Sequence, residues 1–159
     1  MTEITEVVRC VGEVERIIDY DDGRQEIAFF KNTILSSGRE ALAAALTNDD
    51  DDVYSYYVSQ MIFGDGGTTG GTTKFVNASR TGLFGITRAN KPVIAIRDAN
   101  VRTQANFTSV IAKSEANGYV LNEMALQMNN GDLYSMLTFP DMTKTSSMQI
   151  TWIWRVAYL

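Results

Sequence analysis

The closing segment of the chain carries the clearest pattern. Met148, Ile150, Trp152, Trp154, Val156 and Tyr158 alternate with Gln149, Thr151, Ile153, Arg155 and Ala157, so one side of an extended chain is apolar throughout. This period of two predicts a strand over Ser147 to Tyr158 with one face buried. Pro92 to Arg97, Thr103 to Ala112, Tyr119 to Met128 and Leu133 to Phe139 read as further short strands divided by turn residues, and Ala105, Phe107, Ser109 and Ile111 alternate with mostly polar neighbours. Near the N-terminus, Val7, Val8, Val11, Val14, Ile17 and Ile18 lie among scattered charges. Asp22-Gly23 then separates them from Glu26-Ile27-Ala28-Phe29-Phe30, which is the signature of a hairpin. Asn117-Gly118 and Asn130-Gly131 predict two more hairpin turns.

One stretch has helical spacing. Ser37 precedes Glu40 by three residues, as in a capping box, and Leu42, Ala45 and Leu46 share one helical face, so a helix is predicted over Ser37 to Thr47. The run Asn48-Asp49-Asp50-Asp51-Asp52 ends it, because short acidic side chains compete for backbone hydrogen bonds and repel the negative helix end. That run reads as a solvated loop rather than a calcium loop, whose twelfth position needs Glu where Gln60 stands. Val53 to Phe63, rich in Tyr, Val and Ile, suits a strand. Many short strands with one early helix predict a mainly β chain: an antiparallel β-sandwich or barrel with one short helix near residues 37–47, as a single domain over 1–159.

Gly64 to Lys74 is the one low-complexity stretch, with five Gly and four Thr in eleven residues. A phosphate-binding Walker loop needs Gly-Lys followed by Ser or Thr; here Thr73 precedes Lys74, Phe75 follows it, and no helical pattern comes next. The dinucleotide fingerprint lacks its βαβ setting. Residues 64–74 therefore read as a flexible connection.

Composition narrows the chemistry. The 159 residues contain no His and one Cys. Without His, no Ser-His-Asp or Cys-His mechanism and no His-bearing zinc site can be assembled. Cys10 can close no intramolecular disulfide and has no imidazole to activate it, so it reads as a small packed side chain. With 14 basic against 19 acidic residues and a net charge of −5, a broad nucleic-acid surface is not expected. No apolar run reaches the length of a bilayer span, and the N-terminal residues are acidic, so neither a membrane helix nor a signal peptide is read. The sequons at Asn77 and Asn106 matter only in a secretory pathway. No metal, cofactor or catalytic residue is assigned.

Several side chains still merit weighing. Paired carboxylates drawn from Asp65, Glu115, Glu123 and Asp132 could serve a glycosidase, which needs no His, but sequence places no two of them at the required separation. Asp132 follows a turn. Glu123 lies inside an apolar run, which points to a buried acid paired structurally with Arg or Lys. Trp152 and Trp154 could stack sugars, yet their parity with Met148, Ile150 and Val156 assigns them to the core.

Four segments carry a family resemblance: Phe30-Lys31-Asn32-Thr33-Ile34 leading into Gly38-Arg39-Glu40-Ala41-Leu42; Met61-Ile62-Phe63-Gly64-Asp65-Gly66-Gly67-Thr68; Glu115-Ala116-Asn117-Gly118 with Leu121-Asn122-Glu123-Met124-Ala125-Leu126; and Lys144-Thr145 through Trp152. In this order they resemble small structural proteins of tailed-bacteriophage virions, of the tail-fibre, collar or neck type. The resemblance implies a non-enzymatic β-rich module, made in the host cytoplasm and incorporated into the virion, that docks to other virion proteins and to itself as a homo-oligomer. Nucleic acid and membrane are not among the implied partners. Capsid decoration, or a carbohydrate- or receptor-binding role, is the alternative. Lys31, Asn32, Asp65, Glu123, Trp152 and Trp154 are the interface or structural candidates.

Overall fold

The alternating segment at the end of the chain becomes β12 (Met148–Tyr158), the middle strand of a five-stranded antiparallel sheet. In the computed structural model, residues 8–47 and 56–159 are described; the expectations for Val7, for the acidic run and for the start of the Val53 strand lie outside them. On one side β12 pairs with β1 (Cys10–Tyr20), which pairs with β2 (Gln25–Lys31) across the Asp22-Gly23 turn. On the other side it pairs with β9 (Gln104–Ile111), and β9 with β8 (Ile94–Arg97). A second antiparallel sheet has the order β3 (Thr33–Ile34), β11 (Leu133–Thr143), β10 (Val120–Met128), β4 (Val58–Gly64), β7 (Thr87–Pro92). The chain steps from β2 to β3 through Asn32 and from β7 to β8 through Val93, so two corners join the sheets into a sandwich. The predicted mainly β, antiparallel architecture is what the chain adopts. Its one α-helix among the described residues, α1 (Ser36–Thr47), is not long and apolar enough to cross a membrane.

The main core fills the space between the sheets. Val14, Ile18, Ile111, Ile150, Trp154 and Val156 meet Met61, Met124, Leu126 and Leu137, and the buried ring of Trp152 lies 5.2 Å from Phe139 and 5.5 Å from Phe63. The second sheet is covered on its outer side as well. There Leu35, Ile62, Val76, Ala125, Leu133 and Met136 form a smaller core with Leu83 and Phe84, beside α1. This explains why β10 reads as an apolar run rather than an alternation: nearly all of it is buried, on both faces. No described residue covers the outer side of the first sheet in this way.

Five expectations change. The helix does not turn Leu42, Ala45 and Leu46 inward: Leu46 is 88% exposed, and Gly38 and Ala41 face the protein instead. Close approach decides this, because a Cβ on Gly38 would land on the Tyr134 carbonyl of β11. The capping box is also absent. The Leu35 carbonyl accepts the Gly38 and Arg39 N–H groups at 3.1 and 3.2 Å, while the Ser37 hydroxyl donates to the Leu133 carbonyl.

Asn117-Gly118 is not a hairpin, since β9 and β10 belong to different sheets; Gly118 takes its positive φ of 85° in a crossover. Likewise Pro92 and Ile94–Arg97 are not one strand, because the chain changes sheets at Val93. Residues 64–74 are not a loose connection but carry a short hairpin, β5 (Thr68–Thr69) with β6 (Thr72–Thr73), closed by Lys74 N–H donating to Gly67 C=O at 2.8 Å.

Candidate functional site

Two sequence segments that look unrelated meet at the end of β10. Glu123 is fully buried, and its carboxylate accepts three backbone N–H groups: Gly66 at 2.9 Å, Phe84 at 2.6 Å and Gly85 at 2.8 Å. The expected partner, Arg or Lys, is not what satisfies it. Backbone amides serve the same purpose, since charge-assisted hydrogen bonds compensate a buried carboxylate. Neighbouring Asn122 accepts the Gly67 N–H at 2.6 Å and donates to the Asp65 carbonyl at 3.2 Å, to Thr68 Oγ1 at 3.0 Å and to Asp141 Oδ1 at 3.0 Å. Gly67 must lack a Cβ, which would land on the Asn122 carbonyl.

Asp65 extends the cluster outward. It accepts the Ile86 N–H at 2.9 Å and pairs with Arg88 Nε at 2.6 Å; that guanidinium, with the Ile86 N–H, holds its carboxyl below the usual carboxylate range. Arg88 in turn stacks 4.8 Å from the Tyr119 ring centroid.

A second clamp lies at the crossover into β10. Lys144 is buried, and its ammonium donates to Asn117 Oδ1 at 3.0 Å, Thr145 C=O at 2.8 Å and Lys113 C=O at 3.3 Å; burial lowers its pKa. Glu115 pairs with Lys91 at 2.6 Å and accepts the Ala112 N–H at 2.8 Å. Sequence reasoning missed Asn122 and the role of Lys144. The signal for Asn122 was an amide inside the same apolar run as Glu123.

Lys31 and Asn32 form no part of either clamp. They sit at the β2–β3 corner, on a cleft of about 590 Å³ that Cys10, Gly12, Arg39 and Arg155 also line. Both polar atoms of the Asn32 amide are buried without a hydrogen-bond partner, and the side chain lies against Gly12. Cys10 is half-buried beside the bonded hydroxyls of Tyr134 and Tyr158, and burial pushes its thiol pKa up.

Trp152 and Trp154 are fully buried, so neither ring is presented to a sugar. The exposed apolar surface lies on the opposite face of the same sheet. Across the strands, one row reads Phe29, Glu15, Ile153, Thr108, Ile94; the next reads Lys31, Glu13, Arg155, Asn106, Ile96; and on the other side lie Ile27, Ile17, Thr151, Val110. Phe29 is 60% exposed, Ile94 67% and Ile96 61%. Arg155 bridges Glu15 at 2.6 Å and Glu13 at 3.9 Å in the middle. Edge strands β2 and β8 bound this face. Its sequence signal was Glu26 to Phe30, where Ile27 and Phe29 are apolar as well as the inward Ala28 and Phe30, so this strand, like β10, carries apolar side chains on both faces and the packing decides which of them is covered.

Among the described residues, no group of three His, Cys, Asp or Glu side chains could hold a metal ion. Compared with protein-family models, curated proteins and solved structures, the chain matches none.

Proposed function

We propose that this protein is a non-enzymatic assembly module of a tailed-bacteriophage virion, attached at the tail, collar or neck and acting through protein–protein contacts. The observation that carries the docking role is the bare outer face of the first sheet. Among the described residues it presents Ile27, Phe29, Ile94 and Ile96 to solvent between edge strands β2 and β8, while the second sheet is covered on both sides. The virion setting rests on the family resemblance. In support, segments that carry the resemblance are joined in space: Gly66 and Gly67 with Asn122 and Glu123, and Asn117 and Gly118 with Lys144.

Immunogold labelling of purified particles tests the proposal, with wild-type chain and Phe29→Asp compared in the same complementation. Label at the tail, collar or neck, lost with the variant, is the expected result. Label over the capsid faces would replace the attachment site with decoration, and unlabelled particles would overturn the virion reading.

A further inference from the structure

Building on the assembly-module reading, we infer that the bare face is covered by a second copy of this chain, the two first sheets packing face to face about a two-fold axis parallel to β12. Strand order fixes where such an axis can lie. β12 is the middle of five strands, so β1 and β9 flank it at one spacing, about 4.8 Å, and β2 and β8 at two. A two-fold axis along the centre of β12 therefore lays β1 of one copy over β9 of the other, and β2 over β8. It keeps each cross-strand row opposite itself.

Row by row, the side chains suit that superposition. Phe29 meets Ile94, Glu15 meets the Thr108 hydroxyl, and Ile153 meets its own counterpart on the axis. In the adjoining row Glu13 meets the Asn106 amide, and in the other Ile17 meets Val110. Phe29 thus falls on Ile94 and the acids fall on neutral hydrogen-bond donors, while at the edge of the adjoining row Lys31 falls over Ile96, where its aliphatic stem lies along the apolar side chain and its ammonium reaches solvent at the rim. Arg155 meets Arg155, but each already holds Glu15 at 2.6 Å and Glu13 at 3.9 Å, so two neutralised networks stack rather than two bare cations.

Charge separates this face from the rest of the molecule. Its three rows contain two acids, Glu13 and Glu15, and two bases, Lys31 and Arg155, which cancel, and the next row of the face adds one acid, Asp19 between Gln25 and Gln149, whereas the whole chain carries −5. Self-association through any strongly acidic face would be opposed by repulsion; through this one it is not. An isologous contact also needs one self-complementary patch only, which is the usual way a small chain dimerises.

Cross-linking in solution tests the axis. In a Cys10→Ser background, Ile153→Cys should be converted to a covalent dimer by a short bismaleimide, because residue 153 faces its own copy. Phe29→Cys alone should not link, whereas a mixture of Phe29→Cys and Ile94→Cys chains should. Light scattering should give a dimeric mass for the wild type and half of it for Ile153→Lys, with an unchanged circular dichroism spectrum.

A monomeric wild-type mass, or a dimer in which Phe29→Cys links to itself and Ile153→Cys does not, overturns the arrangement. The two proposals fail separately. A monomer that still labels virions retires the two-fold face alone, and a dimer that labels no particle retires the virion reading alone.

Discussion

Glu123 on β10 accepts the backbone N–H of Gly66 at 2.9 Å across 57 residues of chain, and the same oxygen takes the Gly85 N–H at 2.8 Å. One side chain thereby anchors both the turn after β4 and the turn before β7. Without it, three part-buried amide donors would lose their acceptor beside the core, so the fold depends on this acid more than on any surface ion pair.

Glu123→Gln should therefore destabilise the protein although it preserves shape. An amide supplies one acceptor oxygen where the carboxylate supplies two, and its NH₂ would confront either the Phe84 N–H or the pair from Gly66 and Gly85. A loss of about 2 kcal/mol is expected in urea unfolding. A shift of the midpoint within error would show that water replaces the carboxylate at no cost.

The acid limb of stability follows from Asp65 and Glu115. The Arg88 guanidinium lowers the pKa of Asp65, and the Lys91 ammonium lowers that of Glu115, each with help from a backbone N–H. A carboxyl depressed in the folded state binds its proton more readily when unfolded. Its contribution is thus fully present above the unfolded pKa, about 4, and is lost as pH falls through the folded value. Unfolding free energy measured from neutral pH down to about 2 should fall below roughly pH 4. The decline should be shallower for Asp65→Asn with Glu115→Gln. Equal slopes for variant and wild type would contradict this linkage.

Trp152→Ala removes the ring packed by Phe30, Phe63 and Phe139 between the two sheets. A cost of about 3–5 kcal/mol is expected, a large part of the stability of a domain this size. The near-ultraviolet dichroism and the cooperative thermal transition should weaken together. A folded variant of wild-type melting temperature would show that the ring is not central to the core.

On α1 the helix faces invert the usual expectation. Gly38→Ala adds helix propensity worth up to about 1 kcal/mol, yet it should destabilise, because the new methyl meets the Tyr134 carbonyl. Leu46→Ser, at an exposed position, should change stability by less than about 0.5 kcal/mol. Thermal melts of the two variants check both signs, and a stabilised Gly38→Ala would mean that the helix moves off β11 without cost.

Much of the fold was legible because strand parity is a local property. Met148 to Tyr158 announced both its conformation and its buried face, and the turns at Asp22-Gly23 and Asn130-Gly131 join the strands they appeared to join. Asn117-Gly118 misled because turn dihedrals do not say whether the flanking strands share a sheet. The helix misled for a related reason: hydrophobic spacing ranks side chains by affinity for an interior, while the distance between α1 and β11 is set by the smallest residue at the contact.

The sequence by itself determined a mainly β chain without His chemistry or an internal disulfide, with Trp152 and Trp154 in its core and Glu123 buried, because composition and side-chain period depend on neighbours one or two residues away. Only the tertiary structure decided which groups satisfy Glu123, why residues 64–74 are held in place, and which apolar face is left uncovered. Those outcomes depend on contacts between residues tens of positions apart, and on how many layers pack over each sheet: β2 and β10 are both apolar on both faces, and only the packing leaves one face of β2 bare while it buries both faces of β10.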